Sequence, residues 1–129
     1  MIIEDMLDRD VKLLVDAVSS VMLRRGAELS VKNRVYKVLV SPLRGPEEFL
    51  ETIVEFEAEK VEVEPNKVFI YLDDGPSCDM KVEFGDKAKV YVDFKIIEVG
   101  GLTVEVQGYH VRLKVKKEVS RSEEGQGPV

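Results

Sequence analysis

The sequence predicts an α+β domain: a long N-terminal helix, with a short second helix near 46–54, packed on a mainly antiparallel meander of five to six strands. Three observations carry this expectation. Ile3, Leu7, Val11, Leu14, Val18 and Val21 recur at spacings of four and three, which marks one face of a 3.6-residue helix. Ala88, Val90, Val92, Phe94 and Ile96 are apolar at every second position, which marks one face of a strand. Between and around these lie compact turn signals, at Pro65-Asn66, Gly85-Asp86-Lys87 and Gly100-Gly101, that fold consecutive strands back on one another.

The helix comes first along the chain. Asp8 or Asp10 is placed to cap its start, Arg24 and Arg25 suit the negative end of its dipole, and Gly26 can take the left-handed stop. Residues 28–43 fit a helix capped by Ser30 or a strand; the β-branched run Val35 to Val40, with Pro42 beyond it, favours a strand from about 34 to 41. Gly45-Pro46-Glu47-Glu48 then has the proline and carboxylates of a helix start, running through Phe49, Leu50, Ile53 and Val54 before an alternating pattern takes over. A turn at Pro65-Asn66 pairs Val63 with Val68, Val61 with Ile70 and Glu64 with Lys67. Asp73-Asp74-Gly75-Pro76-Ser77 is a loop.

The stretch from Ala88 to Glu98 is the expected central strand. A loop at 85–87 pairs it with the preceding strand, Met80 facing Val92, Val82 facing Val90 and Glu83 facing Lys89. A hairpin turn at Gly100-Gly101 would pair Val99 with Leu102 and Ile97 with Val104 on the other side. The parity slip between Ile96 and Ile97 then requires one β-bulge, which places Phe94 in the core beside Val106. Gly108 marks a bulge or a turn into a last strand. Residues 1–119 are expected to form one domain, and Ser120 to Val129, which has no apolar pattern, a disordered tail.

Composition narrows the chemistry. Apolar residues make up 44 % and charged residues 34 % of 129, a globular and highly charged chain poor in Asn and Gln, as in thermophile proteins. The lone Cys78 excludes an internal disulfide and a cysteine-rich zinc site, and predicts a cytoplasmic setting. The acidic N-terminus and the lack of an apolar run near eighteen residues predict neither a signal peptide nor a membrane span. With His110 as the only histidine, a two-histidine metal site within one chain is excluded. Cys78 and His110 fall on opposite faces by parity, so Cys78 reads as a buried structural residue and not as a nucleophile. No glycine spacing marks a phosphate cradle. No cofactor is expected.

The net charge of −6 conceals local blocks. Residues 24–44 hold six cations against Glu28, residues 45–64 hold eight glutamates against Lys60, and residues 109–117 hold four cations and no carboxylate. Arg24, Arg25, Lys32, Arg34, Tyr36 and Lys37 from the first basic block, with Tyr109, Arg112, Lys114 and Lys116 from the last, combine cations for a phosphate backbone with rings for bases. They are the candidate nucleic-acid-binding residues. The competing reading makes them solvated faces that complement the glutamate block across the sheet or between subunits. Asp73, Asp79 and Asp93 are candidate ligands for Mg²⁺ or Ca²⁺, since the expected register sets Asp79 opposite Asp93. The function these features point to is a non-enzymatic binding or assembly module for a macromolecule, single-stranded nucleic acid or protein. Exposed sheet edges predict a homodimer. The alternative is a small-molecule pocket or an enzyme of cone-shaped or helix-grip type.

Overall fold

The computed structural model describes residues 7–119. The expected tail at 120–129, and Ile3 of the helical stripe, lie outside the described residues. Helix α1 spans Arg9–Arg25 and buries Val11, Leu14, Ala17, Val18, Val21 and Met22, the face that the spacing predicts. It ends at Gly26, whose φ of 67° permits the left-handed stop, with the Gly26 and Ala27 N–H groups donating to the Leu23 and Met22 carbonyls. Asp8 precedes the helix without a side-chain cap; the carboxylates there serve Lys117 instead.

Among the described residues nine strands follow: β1 Leu29–Ser41, β2 Gly45–Glu57, β3 Lys60–Glu64, β4 Lys67–Tyr71, β5 Met80–Glu83, β6 Ala88–Val92, β7 Lys95–Val99, β8 Leu102–Gln107 and β9 His110–Glu118. They form two antiparallel sheets, one of four strands in the order β1-β2-β9-β8 and one of five in the order β3-β4-β5-β6-β7. The expected five- to six-stranded meander is therefore a nine-stranded, two-sheet arrangement, and the second helix does not exist. Residues 46–54 are strand because Leu50, Thr52, Val54 and Phe56 bury one face while β1 takes one edge throughout and β9 the other from Phe49 onward. Helix-start residues at Pro46 and Glu47 cannot outweigh two rows of backbone hydrogen bonds and a shared apolar face.

Two expected hairpins have the predicted register, and Gly108 is a turn and not a bulge. Val63 faces Val68 and Glu64 faces Lys67; Met80 faces Val92, Val82 faces Val90 and Glu83 faces Lys89; Gly108 and Tyr109 form the turn between Gln107 and His110. The central strand differs. Ala88 to Glu98 is not one strand with a bulge but a hairpin, β6 and β7, turned at Asp93 and Phe94 with φ of 55° and 62°. Two left-handed residues make the turn that suits twisted hairpins. A two-residue turn also shifts the inward parity from even to odd: Val90 and Val92 point inward from β6, Ile97 and Val99 from β7. The bulge is therefore unnecessary, and Phe94 and Ile96 are exposed rather than in the core.

Gly100-Gly101 is correspondingly not a hairpin turn. Val99 pairs with Ala88 in one sheet and Leu102 with Val115 in the other, so these glycines carry the chain between sheets. A Cβ at Gly101, whose φ is 76°, would lie 2.3 Å from the Lys116 carbonyl oxygen. One apolar core joins α1 to both sheets, with Leu14, Val54, Ile70, Met80, Val90 and Leu113 each almost wholly buried. The helix is fastened at both ends. Lys117 of β9 pairs with Asp10 at 2.8 Å and Asp8 at 3.6 Å at its start, and Arg24 and Arg25 pair with the five-stranded sheet at its end. Among the described residues no helix is long and apolar enough to cross a membrane.

Candidate functional site

Strand β2 lies between β1 and β9, and this order decides where the basic blocks go. Lys32, Arg34 and Tyr36 of β1 share a face with Phe49, Glu51, Ile53 and Glu55 of β2 and with Arg112, Lys114 and Lys116 of β9. Two cationic stretches far apart in sequence thus meet on one exposed sheet face, directed away from the core. Four of the ten nucleic-acid candidates fall elsewhere. Lys37 alternates onto the core-side face beyond the core, opposite Glu48. Tyr109 sits in the turn between β8 and β9, and Arg24 and Arg25 are at the end of α1.

The glutamate block supplies the third component. Glu55 accepts from Arg112 Nε at 2.8 Å, pairs with His110 Nε2 at 2.9 Å and lies 3.7 Å from Lys32 Nζ. Hydrogen bonding to His110, then to Arg112, lowers its pKa from 4.5 to about 2. The same contacts raise the His110 pKa above its ordinary value, chiefly through Glu55 and then through Glu57. Glu51 holds Arg34 at 2.7 Å, and Glu105 of β8 holds Lys114 at 3.1 Å and Arg112 at 3.6 Å. Carboxylates alternate with cations across the strands, so much of the positive field expected from the sequence is neutralised within the face.

One corner differs. Tyr36 and Phe49 lie side by side, ring centroids 6.1 Å apart, with Lys116 Nζ 4.5 Å from the Phe49 centroid and 5.8 Å from that of Tyr36. Arg34 Cζ stands 5.2 Å from the Tyr36 centroid. Among the described residues Lys116 is in no ion pair; its charge is held against ring faces. Phe49 was not singled out from the sequence. Its alternation with Glu51, Ile53 and Glu55 was the available signal, hidden by an equally good helical reading of Phe49, Leu50, Ile53 and Val54.

The carboxylates considered for a metal hold arginines. Arg25 pairs with both Asp73 and Asp79, Asp79 also accepts from the Leu72 N–H at 2.7 Å, and Arg24 pairs with Asp93 at 2.7 Å. Asp79 and Asp93 border one notch, and the helix end supplies the compensating charge. Among the described residues no group of three or more His, Cys, Asp or Glu side chains is arranged to hold a metal ion. Beside these pairs is an open notch of about 660 Å³ bordered by Val21, Cys78, Tyr91, Phe94 and Ile96. Cys78 is exposed, contrary to the buried role expected of it, because the 72–79 loop carries it to the rim. Its thiol lies 2.9 Å from the Met80 carbonyl oxygen.

No family model, curated protein or solved structure matches the chain.

Proposed function

We propose that this chain is a binding module, without catalysis of its own, that engages a macromolecular partner through the outer face of its four-stranded sheet. The observation that carries the reading is the corner formed by Arg34, Tyr36, Phe49 and Lys116, where cations and aromatic rings share one exposed surface. A single-stranded nucleic acid fits this chemistry, with a base on a ring and a phosphate on Lys116. The remaining cations contribute less, because Glu51, Glu55 and Glu105 already occupy Arg34, Arg112 and Lys114. The reading therefore confines the contact to a short stretch of chain. A cytoplasmic setting agrees with the single free thiol.

The test is fluorescence anisotropy of a labelled single strand of about ten nucleotides at low salt. Binding that weakens steeply with salt and is lost in Lys116→Glu, but only reduced in Lys114→Glu, supports the corner. An unchanged anisotropy at low salt rejects nucleic acid as the partner.

The open notch beside Arg24 and Arg25 favours a second reading, a small-molecule site. Protection of the Cys78 thiol from alkylation by a bound compound is its readout.

A further inference from the structure

We infer that β1 is an assembly edge whose occupant is a second copy of this chain, paired antiparallel about Val35. The two sheets have four outer strands. β3 and β7 are five residues long and β8 is six, whereas β1 runs for thirteen residues from Leu29 to Ser41 with no proline inside it. A long outer strand leaves a row of unpaired N–H and C=O groups, which proteins ordinarily shorten, interrupt or cover.

The side chains of β1 carry the same message. Val31, Val35 and Leu39 lie on the core-side face and are 38 %, 39 % and 66 % exposed, although Val54, the neighbour of Val31 on β2, is fully buried. The apolar surface thus continues to the edge of the sheet, and among the described residues no further strand lies beyond it. β9 pairs with Phe49–Glu57 and the Val119 N–H donates to the Glu48 carbonyl, which covers the part of β2 facing Leu29 to Lys37, while among the described residues Val38 to Ser41 face only the strand from Gly45 to Glu47. A two-stranded ribbon is marginal in water and is stabilised by a third strand.

A second β1 supplies that strand in one register. Centred on Val35, the pairing sets Val35 against its own copy and Val31 against Leu39 of the second copy on the core-side face. On the outer face it sets Arg34 against Tyr36 of the second copy, a cation beside a ring, and Lys32 against Val38 of the second copy. Each projecting half-hairpin then lies along the edge of the other copy's sheet. Neighbouring registers are worse. Centring on Asn33 opposes Lys32 and Arg34, centring on Arg34 or Lys37 opposes a cation with itself, and centring on Tyr36 sets Leu39 against Asn33. The result is a continuous eight-stranded sheet whose two aromatic corners meet at the two-fold axis.

Sedimentation of the full chain tests this without any nucleic acid, so its outcome is separate from that of the binding assay. The expected mass is twice 14.6 kDa. Val35→Lys, which brings two charges together at the axis, should raise the dissociation constant by about a hundredfold, while Val35→Thr keeps the dimer. Val63→Lys, at an exposed site on the outer strand β3, should leave the mass unchanged. Circular dichroism checks that Val35→Lys remains folded. If it does not, Val35→Cys in a Cys78→Ser background replaces it, and an intermolecular disulfide at position 35 but not in Val63→Cys is the expected result. A monomer at about 100 μM, a dimer insensitive to Val35→Lys, or no disulfide at position 35 overturns the inference.

Discussion

The two sheets of this molecule are assembled in different ways. In the five-stranded sheet every strand pairs with its neighbour along the chain, and each register follows from a turn a few residues away. In the four-stranded sheet the central contact joins Phe49–Glu57 to His110–Glu118, with the whole five-stranded sheet inserted between them. The difference extends to charge. In the meander Glu83 meets Lys67 from the adjoining strand and Lys81 from its own, a local arrangement. In the other sheet Glu55 gathers Lys32, His110 and Arg112 from both ends of the chain. A glutamate-rich segment that looks like a solvated acidic face is the shared counterion of two basic strands, and only long-range pairing makes it so.

If the sheets share one core, the largest effects should be felt by both. Leu113→Ala in β9 and Met80→Ala in β5 each empty a fully buried site and should each cost about 2–5 kcal/mol. Denaturant titrations should show a single transition in both variants; two separate transitions would show the sheets to be independent units. The joint between sheets should be less forgiving than a turn within one. Gly101→Ala drives a Cβ into the Lys116 carbonyl and should cost about 2–3 kcal/mol. Gly108→Ala, left-handed but with nothing within 4 Å of the added carbon, should cost only about 1 kcal/mol. Equal losses would show that strain, not the close approach, governs both.

The turn of the meander's last hairpin should respond in the opposite direction. Phe94 is fully exposed at a φ of 62°, so Phe94→Gly relieves left-handed strain and should stabilise the fold by about 0.5–1 kcal/mol. A loss of stability in its melting curve would show that the ring makes a contact that its exposure conceals.

The smallest effect concerns pH at the charged face. The His110 pKa is raised on folding, so its pairing contributes stability fully below about 6.5, and that contribution is lost as pH rises through the folded value. The Glu55 pKa is lowered, so its contribution is present above about 4.5 and lost as pH falls through about 2. Both act between about 4.5 and 6.5, where Glu55→Gln should destabilise most. NMR titration should find His110 above 6.5 in the parent protein and lower in Glu55→Gln, and an unchanged midpoint would dissociate the pair.

Much of the candidate face was visible in parts. The alternation of Arg112, Lys114 and Lys116 puts them on one side of a strand, and Arg34 and Tyr36 share a side by the same rule. Their union was not visible, because β1 and β9 meet only across β2, and β2 carries a pattern that suits helix and strand alike. Nor was the removal of Arg24 and Arg25 from the face. Charge counting groups them with Lys32 and Arg34, but Gly26 ends the helix between them and returns the chain along another element. Phe94 was misplaced because an alternating run was extended through a turn that carries no glycine, and Cys78 because the parity of Met80 and Val82 was carried back into the 72–79 loop.

The sequence alone determined the buried face of the helix and its stop at Gly26, and the hairpins at Pro65-Asn66 and 85–87 with their registers; at Gly108 it left a bulge or a turn open. Each follows from residues within one or two turns of one another: an apolar period and a left-handed glycine for the helix, and a turn signal with cross-strand pairs beside it for the hairpins. The tertiary structure decided that 45–57 is a strand, that Gly100-Gly101 joins two sheets instead of two paired strands, and that the basic strands share a face with their counterions. These depend on which distant strand occupies each edge. That is settled by burying the apolar faces of both sheets against one helix, a balance to which every element contributes and which no local window contains.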